Sequence, residues 1–317
     1  MLYSPAPMHI PDGFLSAPAA IILWLIAIVF IGLALRQANA TLDERKLPLM
    51  GVLAAAIFAG QMLNFSVTGG TSGHLLGAAL ATILLGPWAA TLVMTAVVSV
   101  QALFFQDGGL LALGANLVNM GVIGVWVSYG VYVSLRKLLG EKPGSLFASA
   151  AVAAWTSIFL AALACALELA VSGTSPVNVA IPAMGAIHAL IGIGEALITT
   201  GALAFIYAAR RDLLTQPLAG ARAERSVWIG GLAIAALLAV LSPLASAHPD
   251  GLEWVAEQQN FLSIAQGPLY ELLPDYTIPG ISNEAISTIL AGLVGLAIVA
   301  GVARLMTLRR SKAAQPR

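Results

Sequence analysis

The stretch Ala17-Pro-Ala-Ala-Ile-Ile-Leu-Trp-Leu-Ile-Ala-Ile-Val-Phe-Ile-Gly-Leu-Ala-Leu35 decides the fold, because it contains no charged residue. A helix needs about 20 mainly apolar residues to cross the hydrocarbon core of a bilayer. The whole chain is 59% hydrophobic and only 9% charged, too few polar residues to cover the surface of a water-soluble domain of 317 residues. The sequence therefore predicts an all-α membrane protein.

Apolar segments of similar character recur along the chain. The third is short and lies between a glycine-rich stretch and Gly86-Pro87, so we expect it to be tilted, buried among its neighbours or only partly inserted. In the second, the small residues Ala55/Ala59 and Ala56/Gly60 favour close approach of another helix, from a partner subunit or from this chain. The nine candidate helices cover residues 17–35, 47–67, 74–86, 88–105, 110–135, 146–171, 178–209, 227–246 and 285–303.

Lysine and arginine residues predict the orientation of these helices. All 15 follow the first, fifth, seventh or ninth apolar segment. With the N-terminus outside, nine alternating crossings put every one of them in the cytoplasm, as the positive-inside rule requires. The outer surface is then acidic and would attract cations, unless this pattern reflects only the exclusion of basic residues during insertion. The outer acidic residues are Asp12, Asp107, Asp250, Glu253, Glu257, Glu271, Asp275 and Glu284.

Two histidines that are distant in sequence fall on this outer side. His9 stands in Met8-His-Ile-Pro-Asp-Gly-Phe-Leu-Ser16, and His74 ends Thr68-Gly-Gly-Thr-Ser-Gly-His74. An imidazole in the second position of a chain can chelate a metal together with its own amide and a free terminal amine. One more imidazole completes four nitrogen donors, a set that Ni(II) and Cu(II) favour. Seven residues precede Met8 in the sequence, and they would remove the free amine.

These motifs carry a resemblance to a known family. Met8–Ser16, Gly69–Gly77, Leu85–Ala90 and Gln101–Asn116 resemble the CbiM/NikM family, the cobalt- and nickel-specific S components of energy-coupling factor (ECF) ABC transporters. The resemblance covers residues 8–212 and implies a seven-helix bundle, one extra N-terminal helix plus six core helices. Residues 226–317, with His248-Pro-Asp-Gly-Leu-Glu253 between two further membrane helices, resemble the NikN-like accessory subunit. Residues 213–225 form the predicted cytoplasmic linker.

The resemblance implies a site and a set of partners. In the family the ion lies in a square plane of nitrogens, and the matching residues are Met8, His9 and His74. This site implies that translation starts at Met8 or that a protease removes the leader. The implied partners are a transmembrane coupling (T) subunit and two cytoplasmic ATPase subunits, since the sequence contains no Gly-x-x-x-x-Gly-Lys-Ser/Thr motif. We thus expect a transport subunit of the prokaryotic plasma membrane, in contact with lipid, that imports Co²⁺ or Ni²⁺. It would not be an enzyme, would hold no prosthetic group and would bind no nucleic acid.

Other polar residues in the apolar segments have open roles. Gln101, Asn116 and Asn119 could orient the metal loop or simply join helices. His188 and Glu195 share a helix face and could be second-shell groups, steps on an ion path, or a buried hydrogen-bonded pair. Two other functions remain open: a stand-alone ion-coupled carrier or channel, and an intramembrane metalloenzyme that uses His74, His188 and Glu195.

Overall fold

The protein is a helical bundle with one small β-hairpin. The computed structural model describes residues 8–43, 46–215 and 221–306. Several predicted features lie outside the described residues. They are the leader before Met8, part of the linker, Arg45, and the basic residues after Met306. The helices are α1 (Ala17–Thr41), α2 (Leu47–Gln61), α3 (Ala78–Leu85), α4 (Pro87–Phe105), α5 (Leu113–Leu139), α6 (Pro143–Val171), α7 (Val177–Ala209), α8 (Asp212–Thr215), α9 (Ala221–Leu241), α10 (Gly251–Gln258) and α11 (Glu284–Leu305).

All nine predicted apolar segments form helices, and seven helices among the described residues are long and apolar enough to cross a membrane. The chain is a multi-pass membrane protein. The exposed face of α1 carries large apolar side chains such as Ile21, Leu25 and Val29, each more than half exposed. Such a surface suits lipid and not water.

Two of the predicted helices are shorter than the sequence indicates. Helix α2 ends at Gln61, and strands β1 (Phe65–Val67) and β2 (Thr71–Gly73) then pair as an antiparallel hairpin that the all-helical prediction missed. Helix α3 contains only eight residues and is almost wholly buried, as one of the expected alternatives proposed. Glycines with positive φ stand at both its ends, Gly77 (77°) and Gly86 (83°), where the chain turns sharply.

Helices α4 and α5 contain π-helical turns. In α4 the turn covers Gln101–Phe105, and in α5 it covers Leu117–Ile123. A π-turn rotates the side chains that follow it relative to a regular helix and is often found at functional sites. Asn116 and Asn119 flank the start of the turn in α5, which helps them to bond to different neighbours.

Helix α2 is enclosed by other helices of the same chain. Helices α9 and α11 pack against it, and Ala55 clusters with Ala235 and Leu296. A Cβ on Gly231 of α9 would clash with the Val52 side chain, so only glycine permits this approach. Internal packing therefore accounts for most of the small residues of α2, as the second of the two expected alternatives has it.

The segment between α9 and α11 lies over one end of the bundle. Its backbone bonds to the hairpin region, where the Ser72 nitrogen donates to Pro249 O at 2.8 Å. It also bonds to the N-terminal segment, where the Gln266 nitrogen donates to Asp12 O at 2.8 Å. The end of the bundle that carries His9 and His74 is thus covered by residues from the last third of the chain.

Candidate metal centre

The N-terminal segment is fixed inside the bundle. Met8, Ile10 and Phe14 are buried. Asn116 and Ile10 form two hydrogen bonds of 3.1 Å. The Ile10 nitrogen donates to Asn116 Oδ1, and Asn116 Nδ2 donates to the Ile10 carbonyl oxygen. The Asp12 carboxylate accepts the backbone N–H groups of residues 110–112, at 2.8–3.1 Å, at the start of α5. These bonds hold His9 in one position.

The His9 ring is buried, and its tautomer is set by Gln101. His9 Nε2 lies 3.0 Å from Gln101 Oε1. Because an amide oxygen can only accept, Nε2 carries the hydrogen and Nδ1 keeps a free lone pair. Nδ1 is the ring nitrogen that can close a chelate ring with the backbone nitrogen of the same residue. The hydrogen bond to Gln101 therefore leaves Nδ1 of His9 available as an acceptor.

His74 directly follows β2, and both of its ring nitrogens lie near oxygen atoms. Its Nδ1 lies 3.1 Å from the Leu75 carbonyl oxygen and donates to it. His74 Nε2 lies 3.5 Å from Asp250 Oδ2. The rings of His9 and His74 meet with their centroids 5.6 Å apart and their planes at 62°. Two imidazoles from distant parts of the sequence thus lie next to each other.

Glu195 holds the segment that follows His74. Its carboxylate is fully buried and accepts the backbone N–H of Leu76 at 2.7 Å and of Gly77 at 3.0 Å. His188 is not its partner, since His188 Nδ1 bonds to Met184 O at 2.9 Å. The expected alternative of a paired His188 and Glu195 is therefore wrong. Glu195 instead supports the histidine loop.

Asp107 connects the N-terminal segment to the last third of the chain. Asp107 Oδ1 accepts from the Met8 nitrogen at 2.7 Å, and Oδ2 accepts from the Tyr276 hydroxyl at 2.6 Å. Its side chain is only 2% exposed. A buried carboxylate is costly unless hydrogen bonds or positive charge compensate it. A terminal ammonium or a cation beside Met8 would supply that charge.

The charge of the site depends on carboxyl groups from the segment around α10. Burial lowers the pKa of His74, but the hydrogen bond and charge of Asp250 raise it, and the net shift is upward. Burial, and then the nearby carboxylates of Asp250 and Glu257, raise the pKa of Glu253 to about 7. Burial and the charge of Asp107 likewise raise the pKa of Asp275 to about 6. The segment between α9 and α11 therefore changes its charge near neutral pH.

Most of the predicted site residues border one cavity. The cavity has a volume of about 80 Å³. Gln101 does not line the cavity but bonds to His9, which does. Glu195 bonds to the backbone of Leu76 and Gly77, just after His74. The Asn119 side chain also donates to Glu168 of α6 at 2.7 Å. The predicted residues that line the cavity are Met8, His9, His74, Asn116, Asn119 and His188.

Sequence reasoning did not assign Asp107, Asp250 or Tyr276 to the site. Asp107 and Asp250 stood among the outer acidic residues, and Tyr276, in the stretch Pro274–Gly280 of the accessory segment, had no assigned role. Within the described ranges, no group of three or more His, Cys, Asp and Glu side chains is arranged to hold a metal ion. The predicted site consists of two imidazoles and backbone nitrogens, so it contains only two side chains of these types. The predicted donor set does not need such a group.

The helices and the facing imidazoles place this chain among membrane proteins that transport transition-metal ions. The profile of the family described as "Cobalt uptake substrate-specific transmembrane region" (CbiM) matches residues 9–213, and the chain belongs to that family. The PDGLE domain matches residues 225–310. The chain is a membrane protein of the cobalt and nickel transport type.

Relatives and solved structures extend this likeness. A protein of Archaeoglobus fulgidus named as a fused nickel transport protein NikMN is 39% identical over 92% of this chain and 95% of its own length. The fused nickel transport protein NikMN of Rhodobacter capsulatus is 31% identical, over 93% and 96%. The crystal structure of a truncated transition metal transporter superposes with a TM-score of 0.58 at 36% identity, and covers 63% of this chain and 99% of its own.

Proposed function

We propose that this chain is the substrate-binding membrane subunit of an ECF-type ABC transporter that imports Ni²⁺ or Co²⁺. One observation carries the proposal: His9 and His74, which are 65 residues apart in sequence, meet with ring centroids at 5.6 Å. Both rings line a cavity that Met8 and Asp250 also line, and an ion bound at His74 Nε2 would take the place of the proton shared with Asp250. Nickel is the cargo in the names of the fused relatives, which supports the choice of ion.

The proposed ligands are the Met8 nitrogen, the His9 backbone nitrogen with His9 Nδ1, and His74 Nε2. This set requires that Met8 begins the mature chain, which the mass of the intact purified protein tests. The carboxylate of Asp107, at 2.7 Å from the Met8 nitrogen, compensates the charge of a terminal amine or of the ion. Four nitrogens, one of them a deprotonated amide, favour a d⁸ ion such as Ni²⁺, while the supply of metal in the cell could select Co²⁺.

The energy for import would come from partners. The sequence has no P-loop motif, so we propose a transmembrane coupling subunit and two cytoplasmic ATPase subunits. Residues 8–212 would form the S component, residues 213–225 a cytoplasmic linker, and residues 226–317 an accessory domain. The metal site would face outward from the plasma membrane, with the basic loops inside.

Metal titration of the purified full-length chain tests this function. His9→Ala and His74→Ala should each abolish tight binding of Ni²⁺ and Co²⁺, because each removes one of the proposed donors. His248→Ala is the matched control, since His248 is an exposed histidine near the same end of the bundle and should leave binding unchanged. Unaltered binding in both site variants would refute the proposal.

Uptake into vesicles separates this proposal from the other functions. The chain should import metal only when the coupling and ATPase subunits are present. Uptake by the chain alone, driven by an ion gradient, would instead identify a carrier or channel. Hydrolytic activity that disappears in His74→Ala would identify a metalloenzyme.

A further inference from the structure

Tyr276 is the largest fully buried side chain of the described residues, although it comes from an irregular segment. It is 1% exposed, and its ring stacks on Phe105 of α4 with centroids 4.8 Å apart. Its ring also approaches Phe58 of α2 at 6.0 Å. The outer segment between α9 and α11 thus inserts one aromatic side chain into the core of the S-component bundle.

The backbone around Tyr276 is in an unfavourable conformation. Asp275 and Tyr276 have φ values of 48° and 57°, in the left-handed region that non-glycine residues rarely adopt. Each such residue costs on the order of 1–3 kcal/mol, and it persists only where the surroundings enforce it. Strain of this kind often marks a functional position. Burial of the tyrosine ring offsets the cost.

The Tyr276 hydroxyl reaches the metal centre through one carboxylate. It donates to Asp107 Oδ2 at 2.6 Å, and the other oxygen of Asp107 accepts from the Met8 nitrogen at 2.7 Å. The Asp107 backbone nitrogen also donates to the backbone oxygen of Gln101 at 3.1 Å, the residue whose side chain bonds to His9. Two hydrogen bonds therefore join the accessory segment to the first proposed ligand.

We propose that Tyr276 is a positioning residue of the metal site, which holds Asp107 so that the Met8 nitrogen points at the ion. The inference rests on the proposed function. It makes the affinity for the ion depend on the accessory segment and not on the S component alone. Groups that orient a metal ligand typically change affinity 10–100-fold when they are removed.

The test is a Ni²⁺ titration of the purified full-length chain with Tyr276→Phe. The variant keeps the ring that stacks on Phe105 and removes only the hydroxyl, and it should bind Ni²⁺ about 10-fold more weakly. The visible absorption of bound Ni²⁺ should change as well, because the Met8 nitrogen becomes a poorer donor. Tyr270→Phe is the control, since Tyr270 donates at 2.9 Å to Leu103 O, outside this path, and it should bind as the unmodified chain does.

A double variant tests whether the effect passes through Asp107. Asp107→Asn should weaken Ni²⁺ binding at least as much as Tyr276→Phe, and adding Tyr276→Phe to it should have no further effect. The inference is overturned if Tyr276→Phe binds Ni²⁺ as tightly as the unmodified chain. It is also overturned if the losses of affinity from Tyr276→Phe and Asp107→Asn add fully in the double variant. If Tyr276→Phe does not fold, unchanged affinity in Asp107→Asn overturns it alone. If the unmodified chain binds neither Ni²⁺ nor Co²⁺, the proposed function fails instead.

Discussion

Replacement of Glu195 by glutamine should weaken metal binding although Glu195 is not a proposed ligand. The carboxylate accepts two backbone N–H groups, from Leu76 at 2.7 Å and Gly77 at 3.0 Å. A glutamine has one oxygen and one NH₂ group, so one buried N–H would lose its acceptor and face a second donor. A buried donor without an acceptor costs about 1–3 kcal/mol. The loop cannot shift easily, because Gly77 has a φ of 77° and lies against Ile57.

This cost falls on the segment that fixes His74. We expect Glu195→Gln to lower the affinity for Ni²⁺ by about 10–100-fold, in the range seen when an outer-shell partner is removed. Competition with a chelator of known affinity, on the purified chain, measures this change. Glu257→Gln is the control, because Glu257 is exposed on α10. If Glu195→Gln binds Ni²⁺ as tightly as the unmodified chain does, the claim that Glu195 supports the loop is wrong.

Three further predictions concern the surroundings of the site. Asp12→Ala should lower both the thermal unfolding midpoint and the Ni²⁺ affinity, since hydrogen bonds to a charged acceptor contribute about 1.5–3 kcal/mol each; unchanged values for both would contradict this role. Burial raises the pKa of Glu253 from 4.5 to about 7 in the folded chain. Its contribution to the free energy of unfolding is therefore fully present below about pH 4.5 and is lost as the pH rises through 7. The unfolding midpoint of the metal-free chain should fall over that range, and less so in Glu253→Gln. Gly231→Ala should destabilise the chain, because its Cβ meets Val52, whereas Gly230→Ala, with open space around it, should not.

The sequence predicts the membrane helices well because apolar length alone determines them. It misses the hairpin of β1 and β2, since each strand has only three residues and pairing is a tertiary event. The meeting of His9 and His74 follows from two local motifs and the alternating topology. The contacts of Asp107 with Met8 and Tyr276 join residues 99 and 169 positions apart, and no local pattern encodes them.

The roles of the polar residues in the helices also needed the structure. Asn116 and Asn119 are one turn apart in sequence, yet the former bonds Ile10 and the latter bonds Glu168. The π-turn that begins at Leu117 is not visible in the residue pattern. Periodicity can place a polar group on a helix, but its partner depends on how neighbouring helices are rotated.

The burial of the N-terminal segment has a consequence for the order of assembly. Met8 bonds Asp107, and the carbonyl of Asp12 accepts from the Gln266 nitrogen. The bond of Asp12 to Gln266 can therefore form only after more than two hundred later residues have left the ribosome. Folding of this protein cannot proceed strictly from the first residue to the last, because the N-terminal segment lacks part of its hydrogen bonding until the final third of the chain has been made.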